Sequence, residues 1–138
     1  MGPTIFPIDP RSEVVNKEHE VFNIEKVLQG HPPRTNFNVI RLDDRYNVRI
    51  AEVTGRFPWH RHLNGDEGWL IWRGRLRIEM EGGESVELGP GDGTTIRRGV
   101  VHSPVCLEPG TIVAVFNVKD FQHEFIDENP DLGGFVEH

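Results

Sequence analysis

Cysteine is nearly missing from this 138-residue sequence, whose one thiol is Cys106. A single cysteine excludes an intrachain disulfide and every CxxC metal or redox motif, and it fits a reducing compartment. Basic charge is also short, with 15 Lys and Arg against 22 Asp and Glu, a formal net charge of −7. That balance argues against a general binder of the phosphate backbone, so nucleic acid is not an expected partner. No apolar run approaches the ~20 residues of a membrane span. Residues 1–10 lack a basic segment followed by an apolar core. The expectation is a soluble, unexported, cytoplasmic protein with no membrane partner.

Turn chemistry is abundant instead. Fifteen Gly and ten Pro, with 36% hydrophobic and 27% charged residues, suit a turn-rich β protein better than a helical bundle or a disordered chain. The length is one domain's worth, enough to bury a core without a disulfide or metal staple. The pattern predicts an N-terminal arm over residues 1–20, a β-barrel over 21–118 and a C-terminal tail over 119–138.

Residues 59–67 read Trp-His-Arg-His-Leu-Asn-Gly-Asp-Glu. In a strand, residues two apart share a face, so His60 and His62 point together while Arg61 points away. Asn64-Gly65 is a strong hairpin signal, because a type I′ turn needs φ > 0 at both central residues. A two-residue loop there would pair His62 with Glu67 and His60 with Trp69, with opposed Cβ atoms about 4.5–5.5 Å apart. Two imidazoles and a carboxylate on one face cost desolvation unless a cation or water joins them. The plainer alternative is a half-exposed hairpin that happens to be polar.

Earlier in the chain, Ser12 is placed to cap a short helix over 12–19, and residues 20–28 look strand-like with an open edge. His31, beside Pro32-Pro33, reads as a loop residue. Residues 37–42 and 46–53 read as strands around Asp43-Asp44-Arg45. After Glu67, a strand ends at Gly74. Leu76, Ile78 and Met80 alternate with charged residues, giving a strand with one buried face. A three-residue loop, Gly82-Gly83-Glu84, would set Met80 opposite Val86 and Ile78 opposite Leu88. Gly89-Pro90-Gly91-Asp92 turns the chain, followed by strands over 94–97, 101–107 and 111–118; the last is apolar on both faces and expected to be central. Many short strands at regular spacing mean a sandwich or barrel.

Taken together, these residues resemble the cupin superfamily. Its first motif is similar to His60-x-His62-x4-Glu67-x6-Gly74, and its second to Gly91-x5-Arg97-x-Gly99-x2-His102-x3-Cys106. Arg97 stands where proline is usual, Cys106 where asparagine is usual, and Gly55 lies one position after the family's preceding glycine. The resemblance covers roughly residues 37–118 and is closest to small single-domain proteins of the phosphomannose-isomerase-like kind. It implies an all-β double-stranded β-helix, an antiparallel barrel or jelly roll with short terminal extensions. It also implies His60, His62, Glu67 and His102 as metal ligands, and a homodimer.

Three imidazoles and a carboxylate suit one divalent transition metal, Fe, Mn, Ni, Zn or Co. The alternative for the cluster is metal-free hydrogen bonding. Trp69 and Ile71 share the face of Glu67 in a regular strand and are candidates to wall a small-molecule site or to pack the core. Arg97, with Arg98, is a candidate anion-binding residue at the barrel mouth. Cys106 lies about 13 Å along the strand from His102 at ~3.3 Å per residue, too far to share its ion. Phe121 and Phe125 stand at helical i,i+4 spacing, and His123 and His138 show no ligand spacing. Two functions follow from this reading: an oxygenase, isomerase or lyase acting on a small molecule through the metal, or a non-catalytic small-molecule or sugar binding module with the same site.

Overall fold

The structure, a computed structural model, describes residues 14–127 and the strand Val136–Glu137. Its elements in chain order are α1 (Ile24–Leu28), β1 (Thr35–Leu42), β2 (Tyr46–Glu52), β3 (His60–His62), β4 (Glu67–Arg73) and β5 (Leu76–Met80). Then follow β6 (Ser85–Leu88), β7 (Gly93–Ile96), β8 (His102–Cys106), β9 (Ile112–Val118), β10 (His123–Phe125) and β11 (Val136–Glu137). A six-stranded sheet runs β11-β1-β2-β9-β4-β7, and a five-stranded sheet runs β10-β3-β8-β5-β6. All pairings are antiparallel except β1 with β11. The result is the all-β double-stranded β-helix, but its two sheets face each other without closing into a hydrogen-bonded barrel.

Alternation along the strands decides what each face meets. β9 lies at the centre of the larger sheet, as its apolar run predicts. Its Val113 and Val115 turn inward to a core with Trp69, Ile71, Leu76, Ile78, Leu88 and Ile96. Its Ile112 turns outward to a second core with Leu28, Phe37, Val39, Val48 and Ile50. The helix α1 covers part of that outer face. The larger sheet is therefore covered on its inner face by the other sheet and on part of its outer face by one helical turn.

Several sequence expectations are corrected. Residues 20–28 are not a strand: Asn23 caps α1, its side chain accepting from Lys26 N at 3.0 Å, a local hydrogen bond that outcompetes weak β patterning. No helix forms over residues 14–19, and the start of that expected helix lies outside the described residues. The β5–β6 hairpin pairs Ile78 with Val86 and Leu76 with Leu88, two residues off the expected register. Met80 N bonds Glu84 O at 2.8 Å, so the loop is Glu81-Gly82-Gly83. A slip of two keeps the same side chains on the same face, which is why the apolar matching survives. The i,i+4 reading of Phe121 and Phe125 also fails: Phe125 ends strand β10, Phe121 lies just before that strand outside any helix, and both rings are buried.

Gly74 sits where β4 turns into β5, at φ +87, and a Cβ there would lie 2.6 Å from Thr111 Cα. Gly82 takes φ +94 with open space around it. Gly74→Ala should therefore cost about 2–4 kcal/mol from strain plus overlap, and Gly82→Ala only about 1–2 kcal/mol from backbone strain. Urea unfolding of the two variants measures the difference.

Candidate metal centre

Strand β3 lies between two neighbours. His60 pairs with His102 of β8, and His62 pairs with His123 of β10. Glu67 arrives from the opposite sheet, on β4. The expected two-residue hairpin does not form, because neither Asn64 nor Gly65 takes the positive φ a type I′ turn needs. Asn64 instead donates to Asp120 O at 2.7 Å and accepts from Gln122 N at 3.0 Å, tying the crossing segment to the chain before β10. His62 and Glu67 thus meet across the space between the sheets rather than side by side on one of them. His60, His62, Glu67 and His102 are all buried, and one ligand atom from each lies within 4.8 Å of all the others.

The hydrogen bonds of two rings fix their tautomers. His60 Nδ1 donates to Pro58 O at 2.7 Å and His102 Nδ1 to Val100 O at 2.8 Å, because a carbonyl can only accept. In the neutral rings each Nε2 is then a lone-pair donor for a cation. Burial, then the neighbouring His102 and His62, hold His60 well below the usual imidazole range, which keeps it in that neutral form. His102 Nε2 faces Glu67 Oε1 at 3.2 Å. Two acceptors that close require a proton or a cation between them. His62 Nε2 lies 3.0 Å from Glu67 Oε2, yet neither nitrogen of this buried ring has a hydrogen-bond partner among the described residues. A first-row ion about 2.1 Å from each ligand sets adjacent ligand atoms about 3 Å apart, which matches both of these separations. The donor set therefore fits a divalent metal.

The carboxylate is gripped from behind. Trp69 Nε1 donates to Glu67 Oε1 at 2.8 Å and Asn117 Nδ2 to Oε2 at 3.1 Å. Asn117 is in turn held by Arg49 Nη2 at 2.7 Å. Burial pushes the Glu67 carboxyl up, but the neighbouring His62 and His102 outweigh it and hold it well below the usual carboxylate range.

Beside this cluster lies a cavity of ≈ 70 Å³ whose wall includes His60, Glu67, Trp69, Arg49, Phe57 and His123. Trp69 therefore lines the cavity, whereas Ile71 packs in the inter-sheet core. Arg97 is on the surface, its side chain 80% exposed and 3.4 Å from Asp66, outside the described wall of this cavity; with Arg98, Gly65 and Asp66 it lines a separate surface pocket. Cys106 lines the cavity but stays outside the ligand cluster, its thiol directed at Glu108 O. His123 was not foreseen as part of the site: its ring centroid is 4.6 Å from that of His62 and 4.9 Å from that of His60. The signal was the period-two series Phe121, His123, Phe125. Asn117 and Arg49 carried a signal as well, polar residues at inward positions of otherwise apolar strands.

The family model described as cupin domain matches residues 47–118. The uncharacterized protein YdbB of Bacillus subtilis (strain 168) is 34% identical over 67 residues, 49% of this chain and 58% of that protein, so the match spans less than two thirds of that relative. A solved cupin-2 domain containing protein from Shewanella frigidimarina NCIMB 400 superposes with a TM-score of 0.64 at 24% identity, covering 71% of this chain and 94% of that one. Protein NMB1881 from Neisseria meningitidis gives 0.62 at 17% identity, covering 72% and 99%. At these identities the structural likeness speaks for the fold.

His60→Ala, His62→Ala and His102→Ala should each abolish metal retention, and Glu67→Gln should weaken it while leaving the fold intact. Trp69→Phe removes one hydrogen bond to the carboxylate and should lower metal affinity about 10–100-fold. Elemental analysis and competition with a chelator, alongside thermal unfolding, check all five variants. Full metal content in His102→Ala would remove this residue from the site.

Proposed function

As the chain belongs to the cupin family, we propose that it is an enzyme acting on a small molecule at one divalent transition metal held by His60, His62, Glu67 and His102. The observation that supports this reading is that two members of the cluster, His60 and Glu67, stand in the wall of a cavity rather than in a sealed core. A bound ion of this kind supplies Lewis-acid activation of a substrate oxygen or of water, and redox chemistry where it is iron. The reaction classes this serves are oxygenase, isomerase and lyase. His60, His62 and His102 contribute nitrogen donors and Glu67 the negative charge, which matters in a low-dielectric site. Trp69 and Asn117 keep both carboxylate oxygens in place, so the ligand cannot swing into the cavity. Phe57, 4.8 Å from the His60 ring, and Phe121, 5.6 Å from the His62 ring, shield the imidazoles from bulk water.

Purified without an affinity tag, the protein should carry close to one first-row transition metal per chain. Chelation should lower its thermal midpoint and re-addition restore it, since a ligand that binds only the folded state stabilises it. No metal on isolation, together with no uptake of added iron, manganese, nickel, cobalt or zinc, would exclude the metal-dependent reading. Turnover that follows metal content separates an enzyme from a binding module.

The same reading includes a homodimer. The open edge expected over residues 20–28 is absent, but the outer face of the six-stranded sheet exposes Ile40, Leu42, Tyr46, Leu70, Trp72 and Phe116. An apolar surface of this kind is what a second copy covers. Light scattering should give twice the chain mass for the native protein and the mass of one chain for Trp72→Glu.

A further inference from the structure

The wall of the cavity beside the metal centre holds a carboxamide that the metal centre does not use, that of Asn36. Asn36 pairs with Ala51, Ala51 with Val113 and Val113 with Ile71, and directly opposed residues of neighbouring strands project to one face. The Asn36 side chain therefore points inward with Val113 and Ile71, and the residue is only 9% exposed. Its amide forms no hydrogen bond to any described residue. Asn117, on the same face, is bound to both Glu67 and Arg49. A buried carboxamide left without a partner is costly, and a leucine would fill the same space without that cost.

The row of Asn36 is also well separated from the ligands. Its member Ile71 is four residues from Glu67, roughly 13 Å along the strand at ~3.3 Å per residue. The exposed Thr54 and Gly55 belong to the same cavity wall. Arg34 ties the start of β1 to them, its backbone N bonding Glu52 O at 2.7 Å and its Nη2 bonding Thr54 O at 2.9 Å. Asn36 thus stands at the open end of the cavity, and His60 and Glu67 at the inner end. In the rows between, Val115 and Pro104 are apolar, and Arg49 holds Asn117.

We infer that Asn36 is a specificity-determining residue that binds the end of the substrate remote from the metal, and that this end is an uncharged carboxamide or ureido group. The inference rests on reading the cavity as the substrate site. A carboxamide sets an acceptor oxygen and an N–H donor side by side in one plane, so it pairs through two parallel hydrogen bonds with a group that does the same. A carboxylate has no proton for the Asn36 oxygen, and an ammonium group has no acceptor for its N–H. A diol meets the same edge only by giving up the rotation of both hydroxyls. The apolar rows take up the carbon skeleton, which leaves the opposite end of the molecule to face His60 and Glu67.

The test titrates isobutyramide calorimetrically into the protein as isolated and after chelation, against isobutyrate, 3-methyl-2-butanone and 3-methylbutane-1,2-diol. The ketone keeps the acceptor of the amide and lacks its donors. The native protein should bind isobutyramide about fivefold more tightly than the ketone, the worth of one net hydrogen bond, and more tightly than the other two. Asn36→Leu should erase that preference with metal content unchanged and with an unfolding midpoint no lower than the native one. In the chelated native protein, isobutyramide should shift the side-chain amide NMR signals of Asn36, which are identified by their absence from Asn36→Leu. Unmoved Asn36 signals, equal binding of isobutyramide and the ketone, tighter binding of isobutyrate or the diol, or a preference that survives Asn36→Leu each overturn the inference. A protein that takes up no metal in any form, yet prefers isobutyramide through Asn36, keeps the inference and loses the metal-dependent function.

Discussion

A carboxylate buried between two sheets is the constraint around which this molecule is arranged. Glu67 has been stripped of water, a loss that is tolerated only when its oxygens find other partners. Four groups converge on them: Trp69 and His102 on Oε1, Asn117 and His62 on Oε2. Two of the four come from the sheet that carries Glu67 and two from the sheet opposite. The ionised ligand therefore joins the halves of the fold at the point where a metal would also join them.

Supporting that one charge divides the interior. Along the inner face of the larger sheet, Arg49, Asn117 and Glu67 form a connected polar row, while Ile71, Val113 and Val115 a few positions away belong to the apolar inter-sheet cluster. Trp69 stands at the boundary, packing in that core while giving its indole N–H to the carboxylate. Its amphipathic ring suits that position. The four candidate ligands are thus held on strands rather than on loops, with the apolar core backing the residues that orient Glu67.

Much of this was legible in the sequence, because period-two alternation and turn residues act locally. The strands from β1 to β9 fall near their expected places, and the central position of β9 follows from its apolar faces. Two motifs with their spacing pointed to His60, His62, Glu67 and His102, which the fold brings together. The route by which they meet was misread: Asn64-Gly65 looked like a hairpin, but the Asn64 side chain is bound to residues 120 and 122, far along the chain. A propensity for a turn cannot register a partner that distant. The same limit explains His123, whose neighbours His60 and His62 are set by the pairing of β10 with β3 and by nothing adjacent in sequence.

The pairing of β10 with β3 also dictates when the site comes into being. Ribosomes deliver the chain from the N-terminus, and β3 remains without its outer neighbour until residues 123–125 have emerged. Until then the strand that carries His60 and His62 has no neighbour on that side. The enclosure of the four candidate ligands is completed only after nearly all of the described chain has left the tunnel, so a metal selected by that enclosure would be selected by the finished protein rather than by the nascent one.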